Sequence, residues 1–413
     1  MAQIERYERY ERYLAARLSG STSRGKARLV LGARQTGKST LFEMLRRKGD
    51  LCLDLQERSE RQRLAQDPEA LSRQVLGDAR VRHVFIDEVQ RVPELLDEIQ
   101  LILDRKGRHV TFTLTGSSAR RLRRGRHNLL PGRIHRFALA PACAWEVAGA
   151  EAFRVLPPTR RPPRSRPWFP PRSLEDVLVL GNLPGAFVEG RGFATTLASY
   201  AEAYIEEEVL REMAARNLGQ YGRFLELAAV ESGKPINLTK IGQESGLALS
   251  TLRGFYGVLE DTLLGFSLPP YGRSGRARIL KTPKFFFFDV GVRNGVARLP
   301  IERAMLATEA GTLFEHWVAC ELTARIGYLG PGHRLSYWRT VDGAEVDFVL
   351  ETPRETIPIE VKFTARPRPS DASGIERFMG RYPGRARRGF VVCRATRAEQ
   401  LSRHVLAIPW TEL

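Results

Sequence analysis

Short apolar runs are separated by amphipathic stretches along the first third of the chain. Continuous apolar segments at residues 27–31, 83–87 and 110–115 predict buried β-strands, and the apolar spacing at residues 39–45 predicts a helix. Strands that alternate with helices are typical of an α/β domain. The pattern therefore predicts an α/β fold with a parallel β-sheet for the N-terminal part of the chain.

The loop between the first strand and the first helix carries a phosphate-binding pattern. Residues 32–39 read G-x-x-x-x-G-K-S. Glycines let the backbone wrap around a polyphosphate, while N–H groups at the helix N-terminus point towards it. Lys38 is expected to reach the β- and γ-phosphates, and the Ser39 hydroxyl is expected to bind Mg²⁺. The predicted nucleotide-binding residues are Gly32, Ala33, Arg34, Gln35, Thr36, Gly37, Lys38, Ser39 and Thr40.

A second motif indicates hydrolysis of the bound nucleotide. The apolar strand that begins at His83 ends in the two carboxylates Asp87 and Glu88. In this position the first carboxylate typically holds Mg²⁺ and the second polarises the attacking water as general base. A solvated strand end would carry the same residues, but the phosphate loop upstream favours catalysis. We predict Asp87 as a magnesium residue and Glu88 as the catalytic base.

Polar residues follow the third predicted strand. Thr115, Ser117 or Ser118 could sense the γ-phosphate, and the sequence does not choose among the three. Arg133 lies just beyond, where multimeric ATPases often keep an arginine finger that stabilises transition-state charge. An ordinary surface arginine is the alternative. The sequence leaves open both a homo-oligomer and whether Arg133 acts within its own subunit or across an interface.

The chain is strongly basic, with a formal net charge of +18. A basic excess attracts polyanions through counterion release. A general preference for arginine in the source genome would explain part of the excess but not its clustering, so the sequence favours DNA as a partner. The clustered residues are Arg120, Arg121, Arg123, Arg124, Arg126, Arg133 and Arg136.

Composition indicates a cytoplasmic protein. A hydrophobic content of 43% is enough for well-packed cores. No stretch approaches the roughly 18 continuous apolar residues of a membrane span, and the N-terminus lacks a signal-peptide core, so no membrane partner is predicted. The cysteines lie far apart without a C-x-x-C pair, which indicates neither a zinc site nor a disulfide framework. They are Cys52, Cys143, Cys320 and Cys393.

The middle of the chain predicts helices and a winged helix. Residues 151–175 are rich in proline and arginine and predict an extended linker. Residues 224–230 have helical spacing, Asn237 is placed to cap a second helix and Ser250 a third, which is a helix-turn-helix layout. Because many winged helices contact only proteins, DNA and protein binding both stay open. The predicted outward residues of the last helix are Ser250, Thr251, Arg253 and Tyr256.

The C-terminal part holds a second chemical pattern. Asp347 lies on one predicted strand, and Glu360 and Lys362 form an E-x-K pattern on the next. An aspartate followed by E-x-K on a neighbouring strand is the signature of the PD-(D/E)xK nuclease fold. The carboxylates would share a divalent metal, with Glu315 as a third ligand, and Lys362 would orient the attacking water. Because a fold does not guarantee activity, a non-cleaving nuclease-like domain is the alternative.

Several segments together resemble a large prokaryotic family. They include residues 85–90 (Phe-Ile-Asp-Glu-Val-Gln), 114–118 (Leu-Thr-Gly-Ser-Ser), 287–291 (Phe-Phe-Asp-Val-Gly) and 311–315 (Gly-Thr-Leu-Phe-Glu). Members of that family join an AAA-type P-loop ATPase domain to a C-terminal domain of unknown function. The resemblance implies ATP as the nucleotide, a five-stranded parallel core and a nuclease-like C-terminal domain. The Pro/Arg-rich linker departs from the compact connection usual in the family.

These observations define four segments and a leading function. We predict an ATPase that is coupled to DNA binding or processing, with ATP and Mg²⁺ as its cofactors. One alternative is an ATP-dependent switch that docks a protein partner and carries an inactive nuclease-like domain, and another is an ATP-gated, metal-dependent nuclease. The predicted segments are an ATPase domain (1–150), a linker (151–175), a helical and winged-helix domain (176–275) and a nuclease-like domain (276–413).

Overall fold

The computed structural model describes most of the chain as two compact units. One unit lies within residues 1–142 and includes residues 261–264, and the other lies within residues 143–260 and 265–413. The described residues are 12–18, 26–106, 109–117, 133–147, 153–157, 169–204, 218–272 and 282–413. Ser118, Arg120–Arg126 and most of the predicted linker lie outside these ranges.

The first unit is a parallel sheet flanked by helices. Its strands are β1 (Ala27–Leu31), β2 (Leu51–Asp54), β3 (His83–Asp87), β4 (Thr111–Gly116) and β5 (Ile134–Ala138). Its helices are α1 (Tyr13–Leu18), α2 (Lys38–Leu45), α3 (Arg58–Gln66), α4 (Glu69–Gly77) and α5 (Leu95–Lys106). The strands have the order β2-β3-β4-β1-β5, and every neighbouring pair is parallel. The five-stranded parallel core expected from the family resemblance is therefore confirmed.

The register of this sheet brings the predicted motifs to one edge. Val30 of β1 lies beside Thr115 of β4, and Leu114 of β4 lies beside Ile86 of β3. Because the strands are parallel, the phosphate loop after β1, the carboxylates ending β3 and the polar end of β4 meet at the same carboxyl edge. The strands supply fully buried apolar residues such as Leu29 and Val84 to the core, which leaves this edge for polar chemistry.

The second unit begins with helices and includes a helix-turn-helix. The helices are α6 (Leu174–Leu180), α7 (Pro184–Glu189), α8 (Phe193–Tyr204), α9 (Leu218–Val230), α10 (Leu238–Ser245) and α11 (Leu249–Asp261). The Asn237 side chain accepts the backbone N–H of Lys240 at 3.0 Å, which confirms the predicted cap of α10. The prediction for Ser250 is wrong, because α11 begins one residue earlier and Ser250 lies within it. After α11, strands β6 (Gly265–Leu268) and β7 (Lys284–Phe287) form an antiparallel pair.

Tyr256 corrects the predicted outward face of α11. Its side chain is buried against the rings of Phe224 and Phe285, at centroid distances of 5.0 Å each. Burial raises the pKa of the Tyr256 hydroxyl. Ser250 and Arg253 are exposed as predicted. The tyrosine ring explains why Tyr256 is buried rather than outward-facing. Its large apolar surface packs against aromatic neighbours that come from other elements of the fold.

A six-stranded mixed sheet dominates the rest of the second unit. The strands are β8 (Arg334–Arg339), β9 (Glu345–Glu351), β10 (Thr356–Val361), β11 (Gly389–Cys393), β12 (Glu399–Ser402) and β13 (Val405–Pro409). Strands β8, β9 and β10 are antiparallel neighbours, β10, β11 and β13 run parallel, and β12 pairs antiparallel with β13 at the edge. The accompanying helices are α12 (Val290–Val296), α13 (Leu306–Leu329) and α14 (Ser373–Arg381). In the described ranges no helix is long and apolar enough to cross a membrane.

Candidate functional site

The phosphate loop joins β1 to α2 as a tight, glycine-dependent turn. Gly37 has a φ of 87° directly before α2 begins, and Gln35 also has a positive φ, 62°. Gly32 lies so close to its surroundings that a Cβ atom there would be 2.7 Å from the Leu139 carbonyl oxygen. Because only glycine fits such approaches without strain, the loop sequence and its conformation agree. A loop of this kind directs the backbone N–H groups at the start of the following helix towards a phosphate ligand.

Lys38 is buried and lies along the loop. Its Nζ donates hydrogen bonds to the carbonyl oxygens of Gly32 and Ala33, each at 3.0 Å. The same ammonium lies 3.9 Å from Glu88 Oε1. A buried ammonium with neutral carbonyl partners is positioned to exchange them for anionic phosphate oxygens, which bind it more strongly. Lys38 therefore occupies the position that the sequence predicted for a polyphosphate contact.

Ser39 and Asp87 form a site that suits Mg²⁺. The Ser39 hydroxyl donates to Asp87 Oδ2 at 2.9 Å, so the two predicted magnesium residues are adjacent. Thr115 Oγ1 donates to the other carboxylate oxygen, Oδ1, and Gln56 Nε2 donates to Oδ2 at 3.3 Å. A hydroxyl and one carboxylate are ligands that Mg²⁺ takes together with phosphate oxygens and water. Ser39 and Asp87 could hold the ion, and Thr115 orients the carboxylate.

Glu88 is held in an unusual backbone conformation beside the loop. Its φ is 57° and its ψ is 46°, the left-handed region that non-glycine residues rarely adopt. Its N–H donates to Thr115 Oγ1 at 2.9 Å, and its Oε2 accepts from Ser117 Oγ at 3.0 Å and from Gln90 Nε2. Such strain is retained where the surroundings fix it, commonly in active sites. The contacts aim the predicted base at the phosphate loop.

The polar end of β4 places Thr115 and Ser117 at the carboxylate pair. Thr115 contacts Asp87 and the Glu88 backbone, whereas Ser117 contacts the Glu88 side chain. Both residues therefore contact the carboxylate pair, and a role in sensing the γ-phosphate stays a prediction. Sequence reasoning missed Gln56 and Gln90, and the signal for Gln90 was its place two residues after the carboxylate pair.

Arg133 lies at the opposite end of the sheet from the phosphate loop. It precedes β5, whose first residue, Ile134, pairs with Ala27 at the beginning of β1. The Arg133 side chain forms an ion pair with Asp104 of α5. The loop begins only after Leu31, and a strand rises about 3.3 Å per residue, so the backbone of Arg133 is roughly 20 Å from the start of the loop in its own subunit. A role within the subunit does not fit this geometry, and a role across an interface stays a prediction.

A second candidate site lies on the six-stranded sheet. Ile359 pairs with Phe348, so the antiparallel register sets Asp347 of β9 beside Glu360 of β10. Asp347 Oδ2 accepts the backbone N–H of Val361 at 2.8 Å, and Lys362 Nζ donates to Glu360 Oε1 at 2.8 Å. Glu360 Oε2 is buried and has no hydrogen-bond partner among the described residues.

The charges of this site are only partly compensated. Burial raises the pKa of Asp347 well above its usual range, and the nearby carboxylates of Glu315 and Glu360 raise it further. Burial also raises the pKa of Glu360, although Lys362 opposes the change. A raised carboxyl pKa means that the ionised form lacks positive partners. The carboxylates of Asp347 and Glu360 therefore lack enough neighbouring positive charge, and a divalent cation would supply it.

A two-carboxylate metal site fits better than the predicted three-carboxylate site. In the part of the chain that the structure describes, no group of three or more His, Cys, Asp or Glu side chains is arranged to hold a metal ion. Glu315 Oε1 instead lies 3.0 Å from Lys284 Nζ. Mg²⁺ is commonly bound by one or two carboxylates with water completing its shell. Asp347 and Glu360 could hold such an ion, whereas Glu315 is engaged by the lysine.

Comparisons with known proteins agree with the first site. Residues 24–148 match the model of an AAA domain, which spans the phosphate loop and both carboxylates of β3. Residues 171–303 and 310–413 match two domains of unknown function, DUF8612 and DUF4143. The AAA match supports ATP binding or hydrolysis by an AAA-type P-loop domain. The DUF4143 match fits the C-terminal domain of unknown function in the family that the sequence resembles.

Two relatives and two solved structures are similar to parts of this chain. Uncharacterized proteins of Mycobacterium tuberculosis and Mycobacterium bovis are each 26% identical over 362 residues, covering 86% of this chain and 74% of theirs. The structure of C. elegans PCH-2 is 18% identical with a TM-score of 0.24, over 46% of this chain and 59% of that one. A crystal structure from Vibrio cholerae is 13% identical with a TM-score of 0.17, over 89% and 88% of the two chains.

Proposed function

We propose that this protein is a Mg²⁺-dependent ATPase whose nucleotide cycle is coupled to DNA binding or processing. The observation that carries the ATPase is the convergence of Lys38, Ser39, Asp87 and Glu88 at one edge of the parallel sheet. Lys38 binds phosphate oxygens, Ser39 and Asp87 hold the ion that neutralises phosphate charge, and Glu88 takes the proton of the attacking water.

Two features support DNA as the partner. The net charge of +18 provides sequence-independent affinity for a polyanion. The second unit also has the element order α13-β8-β9-β10-α14-β11, with Asp347 and Glu360 on neighbouring antiparallel strands. We propose that this segment is a PD-(D/E)xK nuclease-like domain, in which Lys362 offsets developing phosphate charge. We also propose a cytoplasmic location for the protein.

The helix-turn-helix favours a second candidate function. We propose a winged helix formed by α10, α11 and the β6–β7 pair. Along the exposed face of α11 the only basic side chain is that of Arg253, and Lys240 of α10 is paired with Glu231 at 3.0 Å. A recognition helix needs several donors for base edges and phosphates. This composition fits a protein-contact module, in which ATP state controls docking of a protein partner.

ATP turnover measured with and without duplex DNA separates the two candidates. We expect DNA to stimulate turnover in the wild type, and we expect Glu88→Gln to lower turnover strongly under both conditions. Glu94→Gln is the matched control, because Glu94 is exposed on the same segment and undergoes the same chemical change. An ATP turnover rate that is the same with and without DNA at every salt concentration would contradict the proposed coupling and favour the protein-docking switch.

DNA affinity and cleavage test the remaining parts of the proposal. Binding to duplex DNA should weaken steeply as salt is added, because phosphate contacts release counterions. Cleavage is measured with Mg²⁺ or Mn²⁺, with and without ATP, in the wild type and in Asp347→Ala and Lys362→Ala. Cleavage lost in both variants would establish a nuclease, and absence of cleavage in the wild type would leave a non-cleaving nuclease-like domain.

A further inference from the structure

Lys284 is a buried lysine inside the carboxylate cluster of the second unit. It is the first residue of β7, and its side chain is only 5% exposed. Its Nζ lies 3.0 Å from Glu315 Oε1 of α13 and 3.0 Å from Glu345 Oε1 of β9. The ring of Tyr337 covers it, with its centre 5.4 Å from Nζ. Strand β7, which is not part of the six-stranded sheet, thus places the Lys284 ammonium beside carboxylates of that sheet and of α13.

The Lys284 ammonium stays in this buried position because neighbouring carboxylates compensate its charge. Burial by itself would lower the pKa of Lys284, but Glu315, Asp347 and Glu345 outweigh this effect and raise its pKa. A charge taken out of water is stable only when it is paired, and Lys284 has two carboxylate partners. Lys284 therefore remains an ammonium in the folded protein.

The cluster divides into two parts with different cations. Glu345 and Asp347 lie two residues apart on β9, and because successive side chains of a strand point to opposite faces, these two face the same side of the sheet. The first part, Glu315 and Glu345, has Lys284 between its two carboxylates. The second part, Asp347 and Glu360, has Lys362 on one oxygen and leaves Glu360 Oε2 without a partner in the described ranges.

We infer that the Lys284 ammonium takes the place of a second divalent ion in this cluster. It holds Glu315 and Glu345 out of metal coordination and limits the cluster to one ion, bound by Asp347 and Glu360. A second divalent cation at Glu315 would have to displace an ammonium already in contact with both carboxylates. The inference rests on the proposed nuclease-like site, and it makes Lys284 a positioning residue that sets the number of bound metal ions.

Counting bound Mn²⁺ in the full-length, nucleotide-free protein tests this role. Free Mn²⁺ is measured by electron paramagnetic resonance during titration of the wild type, Lys284→Met and Lys240→Met. Methionine keeps an unbranched side chain of nearly the same length but removes the charge. Lys240→Met is the matched control, because this exposed lysine is paired with a carboxylate away from the cluster. We expect Lys284→Met to bind one more ion per chain than the wild type and Lys240→Met to bind the same number.

Two further variants keep the test valid if Lys284→Met does not fold. In the otherwise wild-type protein, Glu315→Gln should leave Mn²⁺ affinity within about twofold, whereas Asp347→Asn should weaken it by about tenfold or more, since only the second removes a ligand charge. An unchanged ion count in folded Lys284→Met would overturn the inference. Equal weakening by Glu315→Gln and Asp347→Asn would overturn it as well. Neither readout depends on ATP turnover or DNA, so failure here is distinct from failure of the proposed coupling.

Discussion

Replacing Glu88 by glutamine separates ATP binding from ATP hydrolysis. The amide keeps an oxygen that can accept from Ser117 and Gln90, so the local hydrogen bonds are retained. What disappears is the negative charge and the ability to take a proton. We therefore expect turnover to fall by about 10²- to 10⁴-fold, the usual contribution of a positioned general base.

ATP affinity should rise in the same variant. Glu88 Oε1 lies 3.9 Å from Lys38 Nζ, and both side chains are largely buried. At this separation the attraction is about 4 kcal/mol for an effective dielectric constant of about 20. Removing it frees the ammonium for phosphate and removes a repulsive charge from the site. If one third of this attraction is realised, the dissociation constant of ATP falls about tenfold.

Two measurements on the same protein check this expectation. Binding of a fluorescent ATP analogue gives the dissociation constant, and phosphate release gives the turnover rate. Glu94→Gln serves again as the control and should match the wild type in both. Turnover of Glu88→Gln within tenfold of the wild type would refute the assignment of Glu88 as the base. Weaker binding of the analogue would refute the proposed competition between Glu88 and phosphate for Lys38.

Two further predictions concern stability. Arg325 and Glu321 form a buried ion pair, and Arg325 also donates to the Val155 carbonyl oxygen at 3.2 Å. Glu321→Gln should lower the free energy of unfolding, measured by urea titration, by about 3–5 kcal/mol, because it leaves the Arg325 charge buried without a partner. A double variant with Arg325→Met and Glu321→Leu should lose less stability, because no uncompensated charge is left buried. Burial lowers the pKa of His83 to about 4, since the charged imidazolium is poorly solvated beside Thr113. The unfolded chain therefore binds this proton at a higher pH than the folded protein does. As the pH is lowered from about 6.5 to about 4, the free energy of unfolding should fall by up to roughly 1.4 kcal/mol per pH unit. An equal dependence of the free energy of unfolding on pH in His83→Gln would contradict this.

The N-terminal site was largely predictable from the sequence. The phosphate loop and the Asp87–Glu88 pair are encoded in contiguous residues whose conformations depend on local chemistry, namely a glycine at positive φ in the loop and a strand that ends in carboxylates. The parallel sheet then brings those local signals together at one edge. The contact of Gln56 with Asp87 was not predictable, because Gln56 follows a different strand and has no characteristic place in the motif. The contact of Gln90 with Glu88 was indicated only by the position of Gln90 two residues after the carboxylate pair.

The second site was predictable only in part. Asp347, Glu360 and Lys362 follow a recognisable spacing across two adjacent strands. Lys284 is 63 positions before Asp347 and sits at the start of an apolar run, where a lysine normally indicates a strand end. Its partners become evident only when β7 packs beside α13 and β9. Tyr256 was misassigned for a similar reason, since aromatic partners from α9 and β7 determine its burial.

The hydrogen bond between the Glu88 amide and Thr115 has a consequence for measurement. Backbone amides in a sheet are usually protected from hydrogen exchange by other backbone groups, but this one relies on a side-chain hydroxyl at 2.9 Å. Any rotation of Thr115 away from Glu88 exposes that single amide to solvent while leaving the sheet intact. The exchange rate of one proton therefore serves as an intrinsic, label-free indicator of whether the end of β4 is engaged with the catalytic pair.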